Sequence, residues 1–286
     1  MRQKGEYHLE NPTWCRGCGL FGIFEALKRA ASSLDIDPEE TVIVSGIGCH
    51  GRINNYFRAF GIHGLHGRVL PVATGVKLVN PRLLVIGVSG DGDAYSIGQG
   101  HFIHAARRNV GIVYIVANNR IYGLTQGQAS PTTEMGFVSI STPFGSNEYP
   151  IDGPTLALAA GGTFIARGFS GEVAHLAGLL EKAIRHKGFA VIDILSPCVT
   201  HNKVNTYDWY RKNTVFLEDG AASHSNDKIE AWRRLQDPKK IPLGLIYRED
   251  KPSFEELVNA GRERPIADND LAVDVLRLQK IMEKFR

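Results

Sequence analysis

The sequence predicts an α/β fold in which a mainly parallel sheet is flanked by helices and followed by a C-terminal extension. Short aliphatic runs recur at 41–44, 83–88, 112–116, 163–167 and 190–195. Each is too short for a buried helix and apolar almost throughout, the pattern of strands covered on both faces. Helix-length stretches fall between them, and that alternation connects strands in parallel. Several of the runs end in glycine-rich or polar loops, which such a sheet gathers at the carboxyl ends of its strands, where ligands bind.

The 286 residues are 22% charged and 43% hydrophobic, enough to bury a sizeable core and unlike a disordered chain. A net charge of +3 without a Lys/Arg block leaves no footprint for nucleic acid. The first residues, Met1-Arg2-Gln3-Lys4-Gly5-Glu6, are polar, and no apolar run is long enough to cross a bilayer. The expectation is a cytoplasmic protein with neither a membrane nor a nucleic-acid partner.

In order, residues 1–14 read as an irregular arm, and a helix is expected over 20–33 with Phe21, Phe24, Leu27 and Ala31 on one face. Pro38-Glu39-Glu40 turns into the first strand, which delivers the loop Ser45-Gly46-Ile47-Gly48-Cys49-His50-Gly51-Arg52. Residues 63–75 loop into a small-residue helix that stops before Asn80-Pro81. Strand 83–88 leads to Gly90-Asp91-Gly92-Asp93; a helix follows, and strand 112–116 leads to Asn118-Asn119-Arg120-Ile121-Tyr122. Residues 123–133 form a long polar loop, a kind more often functional than decorative at a ligand edge. A short helix at 157–161, strand 163–167, a helix over 171–187 stopped by Gly188, and strand 190–195 complete a domain spanning 1–199. From about Thr200 strand alternation disappears, so 200–286 is expected to wrap the domain or reach a partner, ending in a helix over 270–285.

Asp91 and Asn119 both stand at the carboxyl end of a predicted strand and so reach the same edge. Glycines around Asp91 let backbone approach a diphosphate closely, and the next helix offers amides to the anion. Asp91, the side-chain oxygen of Asn119 and the Ile121 carbonyl can fill one face of the octahedron of Mg²⁺, an ion that bridges carboxylates to phosphates. Gly-Asp-Gly turns are common by themselves. With a strand before each half, a helix between and the Asn pair in register, the stretch resembles the thiamine diphosphate fingerprint.

The four cysteines are Cys15, Cys18, Cys49 and Cys198. Disulfides are not expected in a reducing compartment, so Cys15-x-x-Cys18 points to metal or redox chemistry. Cys49 and Cys198 each follow a predicted strand, and one fold edge can gather both beside the Cys15 loop. Buried reduced thiols, zinc and a redox dithiol stay open as alternatives. A zinc ribbon normally has two such pairs, however, and a dithiol needs neither Cys49 nor Cys198. Use of all four favours one 4Fe–4S cluster.

Trp14-Cys15-x-Gly17-Cys18-Gly19, Gly46-Ile47-Gly48-Cys49, Leu65-His66-Gly67-Arg68, Gly90-Asp91-Gly92-Asp93, Asn118-Asn119, Tyr122-Gly123-Leu124-Thr125 and Ser196-Pro197-Cys198 occur together. The set closely resembles the β subunit of 2-oxoacid:ferredoxin oxidoreductases, most nearly the 2-oxoglutarate branch. The likeness is strong from Trp14 to about Trp209 and looser through 243–248. It implies a thiamine diphosphate-binding fold and the oxidation of 2-oxoglutarate, with pyruvate or another 2-oxoacid as the alternative. Carbon dioxide leaves, coenzyme A takes the acyl group, and electrons pass through the cluster to ferredoxin; the reverse carboxylation is equally implied.

By the same resemblance Asp91, Asn119 and Ile121 hold Mg²⁺, and Cys15, Cys18, Cys49 and Cys198 hold the cluster. Gly48, Cys49, Gly90, Gly92, Asp93, Gly123, Leu124 and Thr125 surround the cofactor. His66 is a candidate acid–base or substrate-orienting group. Arg52, assisted by His50, is the candidate for the second carboxylate of 2-oxoglutarate, since burying a carboxylate needs a cation or several donors. No glutamate stands in a recognisable context to meet the pyrimidine N1′, Glu25 and Glu134 being the two considered. An α subunit is therefore expected to supply it, in an α2β2 assembly. A non-redox thiamine carboligase or decarboxylase and a zinc-stabilised binding module are the competing readings.

Overall fold

The computed structural model describes residues 2–217, 226–237, 240–260, 265–269, 272 and 274–285. Its first half comprises α1 (Leu20–Ser33), β1 (Thr41–Ser45), α2 (Ile53–Tyr56), β2 (Phe60–His63), α3 (Val69–Val79), β3 (Leu84–Gly90), α4 (Gln99–Arg108), β4 (Val113–Asn118), β5 (Ile121–Tyr122) and β6 (Gln128–Ala129). The second comprises α5 (Gly153–Ala159), β7 (Phe164–Phe169), α6 (Val173–Ile184), β8 (Ala190–Leu195), α7 (Tyr207–Asn213), β9 (Thr214–Phe216), α8 (Lys228–Leu235), β10 (Ile241–Arg248), α9 (Phe254–Asn259) and α10 (Val275–Glu283). Eight strands form one sheet in the order β2-β1-β3-β4-β8-β7-β10-β9. The six from β2 to β7 run parallel, β10 is antiparallel to β7, and β9 pairs parallel with β10.

Residues two apart in a strand share a face, and the central strands are apolar on both. Val42, Val44, Val85, Tyr114, Val116 and Val191 pack on one side with residues of α3, α4, α5 and α8. Ile43, Ile86, Val88, Ile115 and Ile192 pack on the other with residues of α1 and α6. Burying each large aliphatic side chain stabilises the fold by about 1.5–3 kcal/mol, and a slip of one residue would exchange the two sets.

Helix α1 and strand β8 span the residues their patterns predict. The tail departs from expectation: β10, buried from Pro242 to Tyr247, completes the main sheet rather than wrapping it. Pro242 and Gly244 disguise this strand, because both normally break one. Here Pro242 lies opposite Val215 in the short pairing with β9, and Gly244 takes φ +134° ahead of a register shift between Leu245 and Tyr247. Strand β2, absent from the expected elements, has all four residues exposed and owes its existence to pairing with β1. The expected 270–285 helix appears as α10; residues 270, 271 and 273 lie outside the described residues.

Candidate functional site

Because β1, β3, β4 and β8 are consecutive and parallel, the loops carrying Cys49, Asp91, Asn119 and Cys198 emerge side by side. They enclose a cavity of about 450 Å³. Every residue singled out for the site borders it: the four cysteines, Asp91, Asn119 and Ile121, His50, Arg52 and His66, and the flanking Gly48, Gly90, Gly92, Asp93, Gly123, Leu124 and Thr125. Gly123 marks where the two halves meet. A Cβ there would lie 3.4 Å from Asn119 Nδ2 and 3.6 Å from Cys198 Sγ.

Asp91 is 1% exposed, and among the described residues no cation pairs with it. Its Oδ2 accepts from Ser130 Oγ at 2.5 Å and Thr132 Oγ1 at 2.8 Å, and its Oδ1 from the Asn119 amide at 3.4 Å. Burial raises its pKa, only partly opposed by these donors. A buried carboxylate served only by neutral donors fits a cation site, since a bound ion supplies the missing charge. Asn119 Oδ1 accepts from the Ile121 amide at 3.1 Å, which fixes the amide plane and leaves a second lone pair. Between them Arg120 sits at φ +60°.

Asp93 is a second hydrogen-bonding hub on the cavity wall. Its Oδ1 accepts from the Gly67 amide at 2.7 Å and lies 2.7 Å from His66 Nδ1, while Ser89 Oγ donates to Oδ2 at 2.6 Å. Burial opposes the Asp93 charge, but the His50 ring, Ser89 and Gly67 outweigh it and hold the carboxyl down to about 2. The Ser89 and Gly67 donors carry most weight, because His50 Nε2 already accepts from the Gly90 amide at 3.0 Å. A fixed anion beside Nδ1 draws the ring proton there and leaves Nε2 of His66 as the free nitrogen. After Asp93 the chain makes a wide turn, Asp93–Ile97, closed by Gly98 N–H to the Asp93 carbonyl, before α4 begins; such turns favour functional sites.

The thiol end is tied together by backbone. Trp14 Nε1 donates to the Cys49 carbonyl at 2.8 Å, and the Gly19 amide to the Pro197 carbonyl at 3.0 Å. Asn202, which carries no signal in the sequence, joins two of the loops: its amide donates to the Cys198 carbonyl at 3.0 Å and its Nδ2 to the Asn119 carbonyl at 3.1 Å. Burial pushes the Cys18 thiol up to about 12, with Cys198, Cys49 and Cys15 adding to it. Cys49 is raised by burial and by the same neighbours, Cys198 and Cys15. Among the described residues no three His, Cys, Asp or Glu converge tightly enough for a single ion. A four-iron cube spaces its thiolates more widely, and four cysteines that border one cavity and sense one another's charge suit that chemistry.

One expected role, that of His50, meets a different geometry, and the two glutamates considered for the pyrimidine stand away from the cavity, as expected of a site whose glutamate comes from elsewhere. His50 is buried against the Gly90 amide, with a Cβ at Gly48 or Gly90 falling within 3.0 Å of its ring, so it faces the protein as well as the cavity. Glu25 is ringed by Lys4, Lys28 and Arg29, which overcome burial and hold it down to about 2, and it is absent from the cavity wall. Glu134 pairs with Arg120 and is likewise absent from that wall. Ser130 and Thr132 fall in the long polar loop expected over 123–133, but their role as donors to Asp91 emerges only from the fold.

A sheet that gathers Asp91, Asn119 and glycine loops at one edge defines a thiamine diphosphate enzyme domain. The family "Thiamine pyrophosphate enzyme, C-terminal TPP binding domain" matches residues 46–194, and the family for the C-terminal part of the pyruvate ferredoxin oxidoreductase beta subunit matches 198–263. The chain is 41% identical over 278 residues to the 2-oxoacid:ferredoxin oxidoreductase subunit beta of Saccharolobus solfataricus, covering 93% of this chain and 91% of that one. It is 36% identical over 257 residues to the 2-oxoglutarate synthase subunit KorB of Methanocaldococcus jannaschii, covering 90% and 93%. A solved 2-oxoglutarate:ferredoxin oxidoreductase from Magnetococcus marinus, with 2-oxoglutarate, coenzyme A and succinyl-CoA bound, superimposes with a TM-score of 0.89 at 36% identity, over 98% of this chain and 96% of that one. The chain belongs to the family of 2-oxoacid:ferredoxin oxidoreductase β subunits.

Proposed function

We propose that the 2-oxoacid is 2-oxoglutarate. The reaction is 2-oxoglutarate, coenzyme A and two oxidised ferredoxins giving succinyl-CoA, CO₂, two reduced ferredoxins and a proton, or its reverse. The observation that carries this reading is the single cavity bordered both by the Asp91–Asn119 edge and by all four thiols. Asp91, Asn119 Oδ1 and the Ile121 carbonyl would hold Mg²⁺ against a diphosphate, and Cys15, Cys18, Cys49 and Cys198 would hold one 4Fe–4S cluster. Bound there, thiamine diphosphate supplies the electron sink that decarboxylation of a 2-oxoacid needs, and the cluster a one-electron relay.

The chain's own residues do the rest. Asp93 holds the Nδ1 proton of His66, so that Nε2 can accept or return a proton at the reacting carbon. Arg52 lies on the cavity wall with Nη1 donating to Thr13 Oγ1 at 2.7 Å, and among the described residues no carboxylate pairs with it. Its charge is available for the distal carboxylate that distinguishes 2-oxoglutarate from pyruvate. The geometry of His50 suits positioning the Gly90–Asp93 loop more than reaching substrate. No described glutamate borders the cavity, which supports the reading that an α subunit completes the site; the assembly we propose is α2β2. Four reduced thiols suit the cytoplasm; no described helix is long and apolar enough to cross a membrane.

Anaerobic purification with the α subunit, followed by 2-oxoacid-dependent ferredoxin reduction, tests the reading. Coenzyme A-dependent reduction with 2-oxoglutarate preferred and four iron atoms per β chain is expected. Preference for pyruvate would overturn the substrate, and protein lacking iron and acid-labile sulfide would overturn the cluster.

A further inference from the structure

The turn between Asn119 and Ile121, two of the three proposed magnesium ligands of this chain, contains a conformational outlier. Strand β4 ends at Asn118 and β5 begins at Ile121, so two residues must redirect the chain. Arg120 does so at φ +60°. Residues with a Cβ rarely adopt that conformation and keep it only where the surroundings over-determine it. Glycine would be the undemanding choice.

The Arg120 surroundings are unusually complete. Its guanidinium pairs with Glu134, and its Cζ lies 5.3 Å from the Trp209 ring centre and 5.9 Å from that of Tyr210. Its amide donates to Asn118 Oδ1 at 3.3 Å, and its carbonyl accepts from Thr133 Oγ1 at 2.6 Å. The residue is thus held by the strand end, by the 130–134 segment and by two rings of α7. The same 130–134 segment brings Ser130 and Thr132 to Asp91. One side chain thereby links the Asn119–Ile121 turn to the hydroxyls that orient the carboxylate opposite.

We propose that Arg120 is a positioning residue for the cation site. Clamped by Glu134, Trp209 and Tyr210, it locks the left-handed turn that aims Asn119 Oδ1 and the Ile121 carbonyl at the ion held by Asp91. The inference deepens the magnesium reading above and rests on it. It makes a specific statement: the side chain, not the backbone angle, sets ion affinity. Arg120→Gly separates the two, because glycine adopts the left-handed angle without strain while lacking the clamp.

The measurement is the Mg²⁺ concentration that half-saturates thiamine diphosphate binding, followed by equilibrium dialysis on the assembly with its α subunit, well below its melting temperature. Arg120→Gly should need about tenfold more Mg²⁺, the scale of loss when a residue orienting a metal ligand is removed. Arg120→Lys, which keeps a cation for Glu134 but loses the flat stacking group, should fall between. A merely structural role would lower the melting temperature of both and leave the Mg²⁺ requirement where it was. Unchanged or tighter Mg²⁺ dependence in Arg120→Gly would overturn the clamp. If that variant fails to assemble, Glu134→Gln decides: a raised Mg²⁺ requirement supports the clamp and an unchanged one overturns it. Wild-type assembly that bound thiamine diphosphate with no divalent cation would overturn the magnesium reading itself, an outcome distinguishable from failure of the clamp.

Discussion

Asp91 is a buried carboxylate with three neutral donors around it, an arrangement that costs stability until a cation arrives. Asp91→Asn should therefore behave oppositely in the two states. In metal-free protein it should raise unfolding stability by roughly 1–3 kcal/mol, by removing a buried unpaired charge. It should also lose Mg²⁺-dependent thiamine diphosphate binding. Thermal melts with and without Mg²⁺ and cofactor check both halves; a variant that is less stable without metal, or that binds cofactor normally, would refute the assignment. Arg52 carries the substrate prediction. Arg52→Leu should raise KM for 2-oxoglutarate roughly ten- to hundredfold while sparing iron content, because a charge-assisted hydrogen bond to a buried carboxylate is worth about 1.5–3 kcal/mol. Unchanged steady-state kinetics would remove Arg52 from the site.

At the scale of elements, α1 lies directly on the turn that follows β7. A Cβ on Gly22 would stand 2.0 Å from the Ser170 carbonyl oxygen and 2.9 Å from its carbon. Helix propensity alone says that Gly22→Ala, inside a helix, stabilises by about 1 kcal/mol. Contact with backbone, which cannot swing aside, should reverse the sign to a loss of about 1–3 kcal/mol. A urea titration decides between them, and a variant more stable than wild type would show that α1 can shift. This glycine was legible as part of a helix and illegible as a packing site, because its neighbour is 148 positions away in the chain. Strand β10 was missed for a related reason: its proline and glycine argue against a strand locally, and pairing with β7 and β9 overrides them.

For the whole molecule, the four cysteines come from three distant parts of the chain and meet only through the sheet. Replacing any of Cys15, Cys18, Cys49 or Cys198 by Ser should lower iron content and ferredoxin reduction together. A variant with full iron and full electron transfer would not have lost a ligand. Acid stability has a separate source. Burial lowers the His186 pKa to about 4, with Arg248 adding to the effect, while Thr163 Oγ1 lies 2.8 Å from its Nε2. The unfolded chain takes up that proton near pH 6.5, before the folded one does. Stability is therefore intact above about pH 6.5 and falls as the pH drops towards 4, by at most about 3 kcal/mol. Melting curves between about pH 7 and 4.5 should show a shallower fall for His186→Gln than for wild type. Equal slopes would acquit His186.

By itself the sequence determined the parallel α/β class, the strand ends that carry function, and the residues that border the cavity at Asp91, Asn119 and the thiols. Those features are local: a strand followed by a glycine loop is written within a short stretch of chain, and the motif spacing repeats it. Only the tertiary structure decided which loops are neighbours, since strand order β1-β3-β4-β8 is set by pairing between residues far apart in the chain. It turned His50 inward to the Gly90 amide, gave Ser130 and Thr132 to Asp91, and brought Asn202 between Cys198 and Asn119. It also placed Arg120 in a left-handed turn beside two aromatic rings. None of these contacts leaves a periodicity, because a side-chain hydrogen bond between remote loops depends on where the sheet puts their ends, and that is a property of the packed core.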